Sequence, residues 1–151
     1  MTEAPILLVE DNPDDMLLTQ RAFAKSGFEN PIVKLADGEA CLAALLPDDG
    51  RPALRPALVL LDINLPKVGG LEVLSRLRAD DRTQALPVVI LTTSKEPRDI
   101  ADSYLLGANS YVCKPISFTR FVAMIHTLGT YWLEINEPCP NPSVHSPAAR
   151  R

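Results

Sequence analysis

Five short apolar runs alternate with longer segments of helical period, and four of the five close directly on an acid, a hydroxyl or an ammonium. Ile6-Leu-Leu-Val9 ends in Glu10-Asp11, Ala57-Leu-Val-Leu-Leu61 in Asp62, Pro87-Val-Val-Ile-Leu91 in Thr92, and Ser110-Tyr-Val-Cys113 in Lys114. The remaining run, Ile32 to Ala36, leads into Asp37-Gly38. Runs this short and continuously apolar read as strands covered on both faces, and helices between them imply parallel strands joined by right-handed crossovers. The expected class is therefore α/β. Ligands of such sheets bind beyond the carboxyl ends of the strands, which is where this chain concentrates its polar residues.

The segments between the strands carry helix signals. Asn12-Pro13-Asp14-Asp15 reads as a cap with proline in the first turn, followed by Leu18, Ala22 and Phe23 on one face and by Gly27 as a stop. A second helix is expected from Asp37-Gly38 to about Leu46, turning Cys41, Leu42 and Leu45 inward. Pro47 to Pro56, with three prolines and a glycine, reads as an irregular exposed connection. A third helix bears Leu71, Val73, Leu74 and Leu77 after a loop shaped by Pro66, Gly69 and Gly70, and a fourth runs from Pro97 to Leu106 before Gly107. The last, from Ser117 to about Leu133, places Phe121, Ile125, Leu128 and Trp132 on one face.

A length of 151 residues suits a single core, and 46% hydrophobic with 23% charged residues is the balance of a chain that folds. Residues 1–136 are expected to form the domain, and the proline-bearing residues 137–151 a disordered tail. A net charge of −4 argues against direct DNA binding, which needs clustered cations. No run approaches a membrane span or a signal-peptide core, so a cytoplasmic location is expected. Cys41, Cys113 and Cys139 lack metal or redox spacing and read as reduced thiols, Cys113 as a buried one.

Carboxylates gathered at one sheet edge repel one another unless they share a cation or take up protons. Oxygen donors without His or Cys favour a hard ion such as Mg²⁺. A carboxylate nucleophile beside a metal site, a lysine and a hydroxyl suits phosphoryl transfer, with an aspartyl phosphate as product.

These motifs, Leu8-Val-Glu-Asp-Asn12, Leu60 to Gly70, Pro87 to Thr92 and Ser110 to Pro115, resemble those of the receiver domains of two-component response regulators. The resemblance spans about Pro5 to Leu133. It implies a flavodoxin-like, doubly wound, five-stranded parallel sheet in the order 2-1-3-4-5 with five helices. By the same resemblance Asp62 is the phosphoacceptor. Asp11, Glu10, Asp62 and the backbone carbonyl of Asn64 hold Mg²⁺, while Lys114 and Thr92 bind the phosphoryl oxygens and Tyr111 is the switch aromatic. A cis Lys114–Pro115 peptide is implied as well. Tyr111 as a plain half-buried strand aromatic remains a rival reading.

Within the family, Glu10 to Asp15, the proline-rich insertion, Leu91-Thr-Thr-Ser94, Ala108 to Tyr111 and Tyr131-Trp-Leu133 are similar to response regulators paired with bacterial phytochrome-type histidine kinases. The implied function is that of a single-domain regulator with no output domain. It would take a phosphoryl group from a sensor histidine kinase and signal by protein contact, and would not be an enzyme beyond its own phosphotransfer and slow dephosphorylation. A dehalogenase-like phosphatase is disfavoured because Asp11 is followed by Asn12 and Pro13, with no second Asp two residues on. A phosphorylation-independent scaffold is disfavoured by the intact polar set. Met124, Tyr131 and Trp132 form a candidate dimer surface, with a homodimer through the fourth helix, fifth strand and fifth helix implied by resemblance; the alternative is a tail folded back over them.

Overall fold

The structure, a computed structural model, describes residues 3–140. Five parallel strands, β1 (Ile6–Val9), β2 (Ile32–Leu35), β3 (Leu58–Leu61), β4 (Val88–Thr92) and β5 (Ser110–Cys113), lie in the order β2-β1-β3-β4-β5. Between and after them run α1 (Pro13–Ser26), α2 (Gly38–Leu45), α3 (Gly70–Ala79), α4 (Pro97–Leu105) and α5 (Phe118–Gly129). The expected class, strand order and helix number are all present.

Alternation along the strands divides the interior into two cores. Leu7, Val9, Val59, Leu61, Val88 and Ile90 face α2 and α3, with Cys41, Leu45, Val73, Leu74 and Leu77 opposite. Ile6, Leu8, Leu58, Leu60, Val89 and Leu91 face α1 and α5, where Ala22, Phe23, Phe121 and Ile125 meet them. Each buried aliphatic or aromatic side chain contributes about 1.5–3 kcal/mol, so the central strands β1, β3 and β4 are the rigid part of the scaffold. β5 is an edge strand whose residues are all half-buried. Cys113, expected inside, is half-buried for that reason.

Three expectations need correction. On α1, Thr19 rather than Leu18 is buried with Ala22 and Phe23; its hydroxyl is satisfied by the Asp15 carbonyl at 2.8 Å, so the polar side chain enters the core without an unmet hydrogen bond. The last helix does not run regularly to Leu133. It ends at Gly129, where a Cβ would overlap the Phe28 ring, and the chain continues as a wider π turn over Thr130–Ile135, closed by Asn136 N–H donating to the Tyr131 carbonyl at 2.6 Å. The Lys114–Pro115 peptide is trans, the conformer favoured by about 0.5–1 kcal/mol at X–Pro bonds. Beyond the π turn, Pro138, Cys139 and Pro140 border a cavity of about 210 Å³ with Leu54, Pro56 and Leu86. The described part of the proline-bearing tail therefore lies at the end of the sheet away from the strand-end acids; the rest of that segment lies outside the described residues.

Candidate functional site at the carboxyl edge of the sheet

The strand pairing continues one residue beyond three strands and thereby fixes the site. Glu10 N–H donates to the Leu35 carbonyl (3.0 Å), Asp62 N–H to the Val9 carbonyl (3.1 Å) and Lys114 N–H to the Thr92 carbonyl (2.8 Å). Each polar residue is thus held by the ladder of its neighbour, with its side chain at the rim. Glu10 is 3% exposed, Asp62 8% and Thr92 fully buried; Asp11 is exposed.

Glu10, Asp11 and Asp62 each offer a carboxylate oxygen, and these atoms lie within 4.8 Å of one another. Three oxygens from carboxylates, with no thiolate or imidazole in the group, fit a hard divalent cation. Lys114 meets two of the three. Its ammonium donates to Glu10 Oε1 and to Asp62 Oδ2, the latter at 3.5 Å, and also reaches Asp15 Oδ2 at 3.2 Å. Burial raises the Glu10 carboxyl above its usual range, although Lys114 and the Asn12 N–H oppose the shift. Burial also works against the Lys114 charge, but Glu10, Asp62 and Asp15 outweigh it and hold the ammonium above its ordinary value.

The loop after β3 keeps Asp62 in place. Asn64 N–H donates to Asp62 Oδ1 at 3.2 Å. Gly70 N–H returns to the Ile63 carbonyl at 2.9 Å, and a Cβ at Gly70 would overlap the Asp62 carbonyl. Lys67 takes a left-handed φ of 68° to make the turn between them. Asn64 thus meets Asp62 through its backbone N–H, whereas the expected role is for its carbonyl.

Thr92 Oγ1 accepts from Ser94 N–H at 3.3 Å. The Ser94 carbonyl in turn accepts from the Tyr111 hydroxyl (2.9 Å) and the Cys113 thiol (3.4 Å), and its own hydroxyl donates to Asp99 Oδ2 (2.5 Å). Tyr111 is therefore more than a packed aromatic: its hydroxyl ties the edge strand to the loop that carries Thr92. Desolvation raises its phenol, with the Ser94 bond opposing.

The structure brings Glu10, Asp11 and Asp62 together with Lys114, places Thr92 beside Lys114 through a backbone bond, and links Tyr111 to Thr92 through Ser94. It does not bring Met124, Tyr131 and Trp132 into one exposed patch. Met124 and Trp132 pack partly on the core beneath α1 and α5, while Tyr131 is 46% exposed and meets Trp132 edge-on at 4.9 Å between ring centroids. Two residues escaped sequence reasoning as site members. These are Asp15, whose place in a helix N-terminus already accounts for it, and Ser94, whose bonds to Tyr111 and Cys113 are tertiary. His126 lies on the surface, stacked on Phe28.

An open, five-stranded parallel sheet with an acidic trio, a hydroxyl and a lysine at its carboxyl edge is the arrangement of a class of signalling domains, the receivers. The profile described as "Response regulator receiver domain" matches residues 6–126, and the chain belongs to that family. Among curated relatives, the chain is 43% identical over 138 residues to a probable methanogenesis regulatory protein, FilR2, of Methanothrix harundinacea, covering 91% of this chain and 88% of that protein. It is also similar to response regulator Rcp1 of Synechocystis, whose Mn²⁺-bound crystal structure superposes with a TM-score of 0.81 at 34% identity, covering 90% of this chain and 99% of that one. The phosphorylated cyanobacterial phytochrome response regulator RcpA gives a TM-score of 0.82 at 34% identity, covering 91% and 99%. Solved structures of phytochrome response regulators are thus among those the chain resembles.

Proposed function

We propose that this chain accepts a phosphoryl group from a sensor histidine kinase, of the phytochrome type, onto Asp62 and signals by a change of conformation and protein contact. The observation that carries this reading is the convergence of Glu10, Asp11 and Asp62 with Lys114 beside the Asp62 carboxylate. Glu10, Asp11, Asp62 and the Asn64 carbonyl would hold Mg²⁺. When bound, the ion would neutralise charge on the equatorial oxygens of the phosphoryl group. That RcpA is described in a phosphorylated form and Rcp1 with Mn²⁺ supports the reading by similarity.

The chain's own residues supply the rest. An Asp62 oxygen donates its lone pair to the phosphorus of a phosphohistidine; the P–O bond forms as the P–N bond breaks, and the imidazole leaves with the electron pair. Lys114 leaves part of its contact with Glu10 and Asp62 to donate to a phosphoryl oxygen, and the Thr92 hydroxyl donates to another. For Thr92 to turn toward the phosphoryl group its bond to Ser94 N–H must change, and Tyr111 is bonded to the same residue. Two states with different contacts follow, which is the requirement for a switch. The protein is then a phosphoacceptor that catalyses its own modification and slow hydrolysis, and not otherwise an enzyme.

No helix among the described residues is long and apolar enough to cross a membrane, and a cytoplasmic site of action fits a kinase-coupled acceptor. We place a homodimer contact on α4, β5 and α5. Supporting it are the unpaired edge of β5, Leu105 of α4 at 84% exposure and Tyr131 just beyond α5. Tyr131→Ala is expected to lower the association state in sedimentation, and an unchanged mass would count against this contact. For the acceptor itself, incubation with Mg²⁺ and acetyl phosphate should add one phosphoryl group to the wild type and none to Asp62→Asn.

A further inference from the structure

Lys114 is held from three sides, and one of the three has no part in the phosphoacceptor chemistry. Glu10 and Asp62 belong to the acidic trio; Asp15, 3.2 Å from the ammonium, does not. It stands on the first turn of α1 with its backbone fixed at both ends. Its N–H donates to the capping Asn12 Oδ1 (3.1 Å), and its carbonyl accepts from Thr19 Oγ1 (2.8 Å). The carboxylate is therefore delivered to Lys114 by a rigid turn. The pair is partly sheltered, with the Lys114 side chain 9% and the Asp15 side chain 34% exposed.

An ammonium has three hydrogens, and here three carboxylates compete for them. A phosphoryl group on Asp62 needs one. Asp62 releases its claim when its oxygen becomes an acyl phosphate and loses its formal charge, and Glu10 when it turns to a cation. Asp15 takes no part in that chemistry, so nothing in it loosens its hold on Lys114. We propose that Asp15 is a positioning residue that tethers Lys114 to α1 in the unphosphorylated protein and so lowers the affinity of the site for a phosphoryl-like anion. This inference rests on the phosphoacceptor reading above and concerns how tightly that site holds its product.

The test uses the full chain at saturating Mg²⁺, with beryllofluoride as the tetrahedral anion and calorimetry as the readout. Asp15→Asn should bind it about two- to fivefold more tightly than the wild type, the range for a partly exposed ion pair of about 0.5–1 kcal/mol. Asp15→Glu, which keeps the charge, should stay closer to the wild type. A role through Lys114 is separated from simple repulsion by a second measurement. In urea unfolding without the anion, the double-mutant cycle of Asp15→Asn with Lys114→Met should show favourable coupling between the two side chains. Unchanged or weaker beryllofluoride binding by Asp15→Asn, or coupling indistinguishable from zero, overturns the tether. A wild type that binds no beryllofluoride at all would instead overturn the phosphoacceptor reading and take the tether with it.

Discussion

Replacing Lys114 by Met leaves the alkyl stem in place and removes the one cation among Glu10, Asp15 and Asp62. Glu10 is 3% exposed and Asp62 8% exposed, so neither charge is returned to water. Removing one partner of a buried ion pair costs about 3–5 kcal/mol because the other charge remains buried and unmatched. The partial exposure of Asp15 softens this, and a loss of about 3 kcal/mol at pH 7 is the expected outcome in metal-free buffer. The pH dependence carries the mechanism. Burial already raises the Glu10 carboxyl, and loss of the opposing Lys114 charge raises it further. A group whose folded-state pKa lies above its unfolded value contributes stability below the unfolded pKa and loses it as pH rises through the folded one. The deficit of Lys114→Met should therefore shrink as pH falls toward the ordinary carboxylate range, where Glu10 takes up a proton. Urea unfolding of wild type and variant at pH 5 and pH 8 with a chelator present measures it. A loss below about 1 kcal/mol at pH 8, or one equal at both pH values, would refute the reasoning.

Two further outcomes follow from other parts of the molecule. Burial pushes the Cys41 thiol up from an ordinary 9.0 to about 12, so its contribution is intact below about pH 9 and is lost between there and about pH 12, to a limit of about 4 kcal/mol; Cys41→Ala should be less stable at neutral pH but lose stability less steeply above pH 9, and parallel alkaline curves would contradict this. Gly70→Ala forces a Cβ against the Asp62 carbonyl, and should cost about 2 kcal/mol or more in unfolding while weakening Asp62 modification; a variant with wild-type stability and labelling would show that the loop yields freely.

The sequence made the scaffold readable wherever a local rule was also the global one. Ile6–Val9 and Leu58–Leu61 are continuously apolar because both faces are covered, and their ends name the site because the next residue is polar and held by one more ladder bond. Legibility failed where a local explanation already sufficed. Asp15 satisfies a helix N-terminus, so nothing in its spacing points to a lysine 99 residues away. Leu18 fits the helical stripe, yet Thr19 takes the buried position because a carbonyl one turn back absorbs its hydroxyl. Gly129 is needed because the Phe28 ring, about a hundred residues earlier in the chain, lies where its Cβ would be, and no pattern within the last helix announces that contact. Ser94 gained its place through tertiary bonds to Tyr111 and Cys113, which exist only once β5 lies beside β4.

The central claim is that Asp62 is the acceptor in a cation-dependent phosphotransfer. Intact-mass analysis after incubation with acetyl phosphate tests it most directly, comparing wild type with Mg²⁺, wild type with chelator, and Asp62→Asn with Mg²⁺. A gain of one phosphoryl group in the first sample alone is the expected result. An unmodified wild type, or equal labelling of Asp62→Asn, would contradict the account.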